Sequence, residues 1–150
     1  MGLLSRIKRS LRRFIVTESK PKRKQRLRQK NCQNMVRIDK KNRIFLAMVN
    51  NERRKRQLHP LKYDPSLERH ARNWSKHMAS QRKLSHSGYI LENACMVSSN
   101  GSNIAITKKM FKTWKKSRPH WNWMMDPSIY QAGFGYSKRG KYAYGAFAFK

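Results

Sequence analysis

Three stretches after residue 43 place apolar side chains every three or four positions, a spacing that predicts amphipathic helices. The first stretch, IFLAMVNNERRKRQL, predicts a helix that ends near Gln57. Its apolar face consists of Ile44, Phe45, Met48, Val49 and Leu58. The second stretch, DPSLERHARNWSKHMASQ, begins with Asp64, a favourable N-cap, and has Pro65 at the first helical position. Its buried stripe is predicted to be Leu67, Ala71, Trp74 and Met78.

The remainder of this region predicts one more helix and a β-hairpin. In the third stretch, IAITKKMFKTWKK, the inward residues are Ile106, Met110, Phe111 and Trp114. A loop-rich segment precedes this helix and contains a short strand near residues 93–98. Near the C-terminus, large and small residues alternate on both sides of Gly140, which predicts a hairpin turn there. Three helices and a terminal hairpin indicate an α+β domain.

The first 42 residues follow a different pattern. In LLSRIKRSLRRFI, residues 3–15, basic residues separate apolar ones at helical spacing, which predicts a short basic amphipathic helix. Its apolar anchor consists of Leu4, Ile7, Leu11 and Phe14. Such a helix suits a membrane surface, an organelle-targeting segment or docking on a larger assembly. Residues 20–30 have almost no apolar side chain to bury and predict an extended basic arm, so we expect two parts, residues 1–42 and residues 43–150.

The net charge indicates the class of partner. It is +29, with only 7 Asp and Glu among 150 residues, and self-repulsion on this scale requires a counter-charge. We therefore expect nucleic acid, an anionic membrane surface or another polyanionic assembly as the partner. The predicted contacts in the arm are Lys20, Lys22, Arg23, Lys24, Arg26, Arg28 and Lys30. The third helix offers a second set on its outer face, Lys108, Lys109, Lys112 and Lys116, together with Lys115.

Other features of the sequence exclude some classes of protein. No apolar run reaches 18 residues, so the sequence predicts no membrane-spanning helix. Basic residues at positions 6, 8, 9, 12 and 13 interrupt any signal-peptide core, and we expect a location inside the cell or a large particle rather than secretion. Cys32 and Cys95 are the only cysteines, and we expect two free thiols rather than a disulfide framework.

The region after residue 43 resembles a known family in several separate motifs. The chain has LAMVNNERRKRQLHPLKYDPSLERHARNWSKHMAS, then LSHSG, EN, FKTWKKSRPH and GFGYSKRGKYAYGAFAF, in the order typical of the CAP superfamily. That group is named for cysteine-rich secretory, antigen 5 and pathogenesis-related proteins and is also called SCP-like. The resemblance covers about residues 43–150 and implies a three-layer α-β-α sandwich with a small antiparallel sheet. Nothing in it covers residues 1–42.

The resemblance also implies a cleft with two histidines and two acidic residues that can bind a divalent metal such as zinc. Matched residue by residue, the motifs place His86, Glu92 and His120 in this set, while Ser117 stands where the second acid belongs. Two histidines and one carboxylate can hold zinc and leave a position open for water. The alternative is that Glu92 accepts hydrogen bonds from His86 and from loop amides and holds the cleft together.

No activated nucleophile is visible in the sequence. The serines on either side of His86 lack a third group that would orient a catalytic triad. We interpret His70 and His77 as packing histidines of the second helix. The chain is therefore interpreted as a non-enzymatic interaction or scaffold protein, a CAP-like domain tethered by its basic arm to a ribonucleoprotein, a nucleic acid or a virion capsid. The alternatives are a metal- or lipid-binding CAP module at an anionic membrane surface and a metal-dependent hydrolase.

Aromatic side chains beside the lysines suggest one further role, the stacking of nucleic-acid bases. The candidates are Trp121, Trp123, Tyr130, Tyr136, Tyr142 and Tyr144. The alternation of the hairpin favours burial of its aromatic residues in the core instead. For Trp121 and Trp123 both roles stay open.

Overall fold

The structure, a computed structural model, describes residues 22–26 and 38–150. The chain divides into two units, residues 1–37 and residues 38–150. In the first unit, residues 22–26 form an exposed helical segment, so the prediction of an extended arm is wrong for these residues. Lys, Arg and Gln all have high helix propensity, which explains the helix without a buried face. Some residues predicted to act in this unit lie outside the described residues, namely Leu4, Ile7, Leu11, Phe14, Lys20, Arg28, Lys30 and Cys32.

Residues 38–150 form four helices and four strands. The helices are α1 (Lys40–Lys55), α2 (Pro65–Gln81), α3 (Asn103–Lys116) and α4 (Arg118–Met124). The strands are β1 (Lys62–Tyr63), β2 (Glu92–Ser98), β3 (Gln131–Arg139) and β4 (Tyr142–Phe149). They form one sheet in the order β1-β3-β4-β2, in which β1 is parallel to β3 and the other neighbours are antiparallel. In the described parts of the chain, no helix is long and apolar enough to cross a bilayer.

The sheet lies between two helical layers. On one face, Phe45 of α1 and Trp114 of α3 belong to a buried cluster with the aromatic residues of β3 and β4. On the other face, Ala71 and its neighbours in α2 pack against Tyr144. Successive strand residues point to opposite faces, so Phe147 belongs to the first cluster and its neighbours in β4 to the second. This arrangement confirms the predicted three-layer α-β-α sandwich.

Local signals in the sequence locate α2 and the hairpin correctly. Asp64 caps α2, because its Oδ1 accepts the N–H groups of Ser66 and Leu67 at 2.7 and 3.1 Å. Pro65 is the first residue of the helix, as predicted. The hairpin turns at Gly140, whose φ of 56° is a left-handed value that favours glycine.

The predicted apolar face of α1 is only partly right. The helix buries Phe45, Leu46 and Val49, while Ile44 and Met48 stay partly exposed. Polar residues occupy the rest of the buried face. Asn42 donates from Nδ2 to the carbonyl of Phe134 at 2.6 Å and accepts the N–H of the same residue at 2.7 Å. These two bonds tie α1 to β3.

Arg53, on the same helix, is a cation buried with its own acceptors. Its side chain is 0% exposed. The Nε atom donates to the carbonyl of His59 at 2.9 Å, and Nη1 donates to the carbonyls of Met124 and Asp126, each at 2.9 Å. The guanidinium therefore holds the segment that follows α4 against α1.

The sequence did not reveal β1 and α4. Strand β1 has only two residues, which pair with the start of β3 across a long sequence separation.

Helix α2 lies very close to β3, since a Cβ atom at Gly135 would be 2.6 Å from the backbone nitrogen of Arg72. Glycine at this position lets the helix backbone contact the sheet directly.

Candidate functional site

Glu92, the first residue of β2, is the centre of the predicted cleft. Its side chain is 1% exposed, and both carboxylate oxygens have partners. Oε1 accepts the N–H of Ser87 at 2.5 Å, and Oε2 lies 2.9 Å from Nε2 of His70. Nδ1 of His86 is farther away, 3.9 Å from Oε1, and its side chain is largely exposed. A buried carboxylate requires such partners, because desolvation without them is costly.

His120 lies on α4 and has its own local partner. Its Nδ1 atom is 2.8 Å from Oγ of Ser117, the residue at the position of the missing acid. Its carbonyl accepts a hydrogen bond from Nδ2 of Asn93 at 3.0 Å, which ties α4 to β2. Burial, together with the nearby charge of His86, lowers the pKa of His120. The imidazole of His120 is therefore neutral over a wider pH range than a free histidine.

The structure does not support the predicted zinc set. Within residues 22–26 and 38–150, no three His, Cys, Asp or Glu side chains form a group that could hold a metal ion. The physical reason is that the oxygens of Glu92 accept from His70 and Ser87, and that Ser117 supplies no carboxylate. His86 and Glu92 are thus neighbours in the cleft, and the zinc set of His86, Glu92 and His120 stays a prediction.

His70 is the residue of the cleft that sequence analysis missed. The sequence predicts a packing histidine at this position, yet His70 is the closest side-chain partner of Glu92. The signal was its position beside Ala71, on the flank of the buried stripe of α2, where a polar side chain faces the sheet. His77 does pack, because its ring stacks on Trp74 at 4.6 Å. Trp74 in turn donates from Nε1 to the carbonyl of Ser85 at 2.9 Å and holds the loop of the cleft.

The acidic side chains of residues 38–150 all have partners within this unit. Asp126 accepts from the backbone N–H and the hydroxyl of Ser128. Glu52 binds three cations, Lys55, Arg56 and Lys115, at 3.0 to 3.1 Å. The other four form the pairs Asp39–Lys41, Asp64–Lys150, Glu68–Arg72 and Glu92–His70. Many of the remaining basic side chains are left without an acidic partner.

The lysines of α3 fall into two groups. Lys115 pairs with Glu52 and lies 5.5 Å over the ring of Trp121, and Lys109 donates to Oγ of Ser98 and to the carbonyl of Asn100. Three others are exposed and have no hydrogen-bond or ion-pair partner among the described residues, namely Lys108, Lys112 and Lys116. Lys109, a predicted polyanion contact, therefore also forms hydrogen bonds within the protein.

The aromatic residues that were candidates for base stacking differ in how deeply they are buried. Tyr136 and Tyr144 are buried, as expected for the core of a hairpin. Trp121 is half-buried between Arg56 and Lys115, whereas three others are exposed, namely Trp123, Tyr130 and Tyr142. For Tyr142 the interpretation as a core residue is wrong, because it lies outside both buried clusters and is exposed.

Comparisons with known proteins agree with the fold. Among solved structures, an outer surface protein from Borrelia burgdorferi aligns with a TM-score of 0.55 and 15% identity, covering 71% of this chain and 90% of that chain. NaASP2, solved with Zn2+, aligns with a TM-score of 0.64 and 16% identity, covering 75% and 80%. Venom allergen-like protein 4 from Schistosoma mansoni gives a TM-score of 0.56 and 13% identity, covering 75% and 88%. A comparison with curated protein sequences finds no match.

The family assignment follows from a match over more than half of the chain. Residues 46–149 match the CAP family, described as the Cysteine-rich secretory protein family. This span contains every element of the sandwich except the first part of α1. The chain belongs to the CAP family.

Proposed function

We propose that the chain is a non-enzymatic interaction protein whose basic arm, residues 20–30, tethers the CAP domain to a polyanionic assembly, with nucleic acid as the polyanion. The supporting observation is that the acidic side chains of residues 38–150 already have partners within this unit. Residues 38–150 contain 23 Lys and Arg against six Asp and Glu, and all six carboxylates have partners within the unit. The positive charge that remains has to be balanced by a partner.

The contacts of the cleft favour binding over catalysis. The oxygens of Glu92 are engaged by His70 and Ser87, whereas a general base needs hydrogen-bond access to the proton that it removes. Cys95 is buried, and burial raises the pKa of its thiol, so a nucleophilic thiolate is disfavoured. Zinc is present in the structure of NaASP2, but this chain has Ser117 in place of the second acid. The proposal therefore includes no metal chemistry.

The salt dependence of oligonucleotide binding by the full chain tests the proposal. Each phosphate contact contributes about 0.7 to the slope of log affinity against log salt on single strands, and about 0.9 on duplex DNA. An arm variant has Gln in place of seven basic residues, Lys20, Lys22, Arg23, Lys24, Arg26, Arg28 and Lys30. We expect fluorescence anisotropy to show a slope that is several units lower for this variant than for the wild type.

Two controls make the result specific. His86→Ala changes the cleft without altering the arm, so it should keep the wild-type slope. Vesicles that contain phosphatidylserine test the membrane alternative. If the arm variant kept the full slope, the arm would not be the binding segment, and if the wild type bound only vesicles, an anionic membrane surface would replace nucleic acid as the partner.

A further inference from the structure

The free end of the β3–β4 hairpin has an unusual concentration of exposed cations. We define the hairpin tip as Lys138, Arg139, Gly140, Lys141 and Tyr142. All five residues are exposed, and three of them are basic. Arg139 pairs with Tyr142 across the strands, so that only Gly140 and Lys141 form the turn.

The charged side chains of the hairpin tip have no partner among the described residues. Within residues 22–26 and 38–150, no residue accepts a hydrogen bond from the side chain of Lys138, Arg139 or Lys141, and none forms an ion pair with them. Asp39 is close enough to the hairpin to contribute to the raised pKa of Tyr136, after burial, but its carboxylate is 3.4 Å from Lys41 and caps α1. Among residues 22–26 and 38–150, no acidic side chain forms an ion pair with the tip.

Neighbouring segments hold the hairpin tip in place. The N–H of Ser99 donates to the carbonyl of Lys141 at 2.9 Å, and its hydroxyl donates to the carbonyl of Gly140 at 2.8 Å. Lys109 of α3 donates to Ser98 and to the carbonyl of Asn100, so a fourth positive charge lies beside the tip. The backbone that presents the cations is therefore ordered before any ligand arrives, which lowers the entropic cost of binding.

An exposed aromatic ring lies beside these cations. Tyr142 is 48% exposed, whereas Tyr144, two residues further on the same face of β4, is 3% exposed in the cluster that α2 covers. The register places Arg139 on one side of Tyr142 and Ser98 on the other. A base can stack on an exposed ring while nearby cations contact its phosphates, and this is how single-stranded nucleic acids are bound without base-specific contacts.

The position of the exposed apolar side chains favours nucleic acid over a membrane. Leu91 and Trp123 lie at the other end of β4, where the carbonyl of Leu91 accepts the N–H of Phe149 and the ring of Trp123 is 5.9 Å from that of Phe149. Met96 is the exposed apolar residue near the tip, opposite Tyr144 on β2, and one side chain does not form a broad apolar face. The hairpin tip itself has one aromatic ring and no aliphatic residue. A surface that inserts into lipid combines its cations with a larger apolar face.

We infer that the hairpin tip is a binding surface for single-stranded nucleic acid, in which Lys138, Arg139 and Lys141 contact phosphates and Tyr142 stacks on a base. The inference rests on the proposed function and assigns to the folded domain a contact separate from the arm.

The experiment compares variants of the full chain for binding to a labelled oligouridine over a range of salt concentrations. The tip variant replaces Lys138, Arg139 and Lys141 with Gln. Three phosphate contacts at about 0.7 each predict a slope that is about two units lower than in the wild type. The matched control removes the same charge from exposed residues elsewhere, Lys62, Arg69 and Lys76, and should keep the slope. Circular dichroism verifies that both variants melt like the wild type.

The aromatic contact has a separate test. Tyr142→Leu should weaken binding to oligouridine about tenfold at an unchanged salt slope, while Tyr142→Phe should bind like the wild type. Binding to duplex DNA should not change, because paired bases are not free to stack on the ring. Unchanged oligouridine affinity in Tyr142→Leu would contradict the stacking contact.

Four outcomes would overturn the inference. An equal loss of slope in the tip variant and its matched control would mean that only total charge matters. Loss of vesicle binding by the tip variant, with oligouridine binding intact, would assign the tip to anionic membranes. A wild-type slope in the tip variant, with a reduced slope in the arm variant, would leave the proposed function standing and reject the inference alone. Absence of nucleic-acid binding by the wild type would reject both.

Discussion

The ladder between β2 and β4 connects two ends of the domain that use polar residues in opposite ways. At one end, Glu92 is opposite Ala148, and its buried carboxylate has partners on both oxygens. At the other end, Ser98 is opposite Tyr142, beside exposed cations that have no acidic partner among the described residues. Polar groups satisfied inside the protein stabilise the fold, whereas unsatisfied ones at the surface are available to a partner.

The different cost of burial explains the contrast. A carboxylate taken out of water is destabilising by several kcal/mol unless hydrogen bonds replace its hydration. Glu92 obtains these bonds from α2 and from the cleft loop. Exposed lysine and arginine side chains remain hydrated and need no internal partner. Substitutions at the two ends should therefore affect different measurements.

The largest difference in the free energy of unfolding is expected between a substitution of a buried arginine and one of an exposed arginine. Arg53→Gln leaves the carbonyls of His59, Met124 and Asp126 without their donor, so the free energy of unfolding should fall by at least about 3 kcal/mol. Arg139→Gln removes an exposed side chain, and the change should stay within about 0.5 kcal/mol. Urea denaturation of the full chain measures both. Equal losses of stability would contradict the distinction between a buried cation that has acceptors within the protein and an exposed cation that has none.

The next effect concerns the buried acid. Glu92→Gln keeps the shape but weakens the bonds to His70 and Ser87, and we expect the free energy of unfolding to fall by about 1.5 to 3 kcal/mol. Affinity for oligouridine should not change. Zinc and a chelator should leave the melting temperature of the wild type unaltered in calorimetry. A chelator-sensitive melting temperature that the substitution abolishes would restore the metal hypothesis.

A pH-dependent effect should separate two lysines of α3. Hydrogen bonds from Lys115 and Lys55 lower the pKa of Glu52 from 4.5 to about 2. A lowered pKa stabilises the folded state above the unfolded value of 4.5, and this contribution is lost as the pH falls towards 2. Lys115→Gln should therefore reduce the loss of stability over this range by about 1 kcal/mol. Lys112→Gln, at an exposed position without a partner, should leave the pH profile unchanged in thermal melts.

The smallest effect is expected at the exposed histidine of the cleft. The imidazole of His86 is 3.9 Å from Glu92 and largely exposed, so His86→Ala should change the free energy of unfolding by less than about 0.5 kcal/mol. Oligouridine affinity should stay within about twofold of the wild type. A larger loss of affinity, measured by anisotropy, would show that the cleft takes part in binding.

The sequence predicted the features that depend on neighbouring residues. Asp64 and Pro65 specify the start of α2 by local capping, and Gly140 specifies the hairpin turn by its backbone conformation. The family resemblance located Glu92 and His86 together. The pairing of Glu92 with His70 depends on how α2 packs against the sheet, which periodicity along one helix does not determine.

The features that the sequence did not predict also depend on residues that are distant in the sequence. Strand β1 exists because Lys62 and Tyr63 pair with Gln131 and Ala132, and Arg53 is buried because distant carbonyls surround it. At the hairpin tip, the sequence indicated a turn and a core tyrosine. Tyr144 packs in the cluster with α2, whereas Tyr142, two residues earlier, lies outside that cluster and is exposed.

The most direct test of the central claim is the salt slope of oligouridine binding for the full chain with both cation sets replaced. This variant combines the seven arm substitutions with those at Lys138, Arg139 and Lys141. If the arm and the hairpin tip account for the binding, it should lose nearly all of the wild-type slope, while Glu92→Gln keeps the slope in full. A combined variant that kept more than about half of the slope, or a Glu92→Gln variant that lost it, would contradict the account.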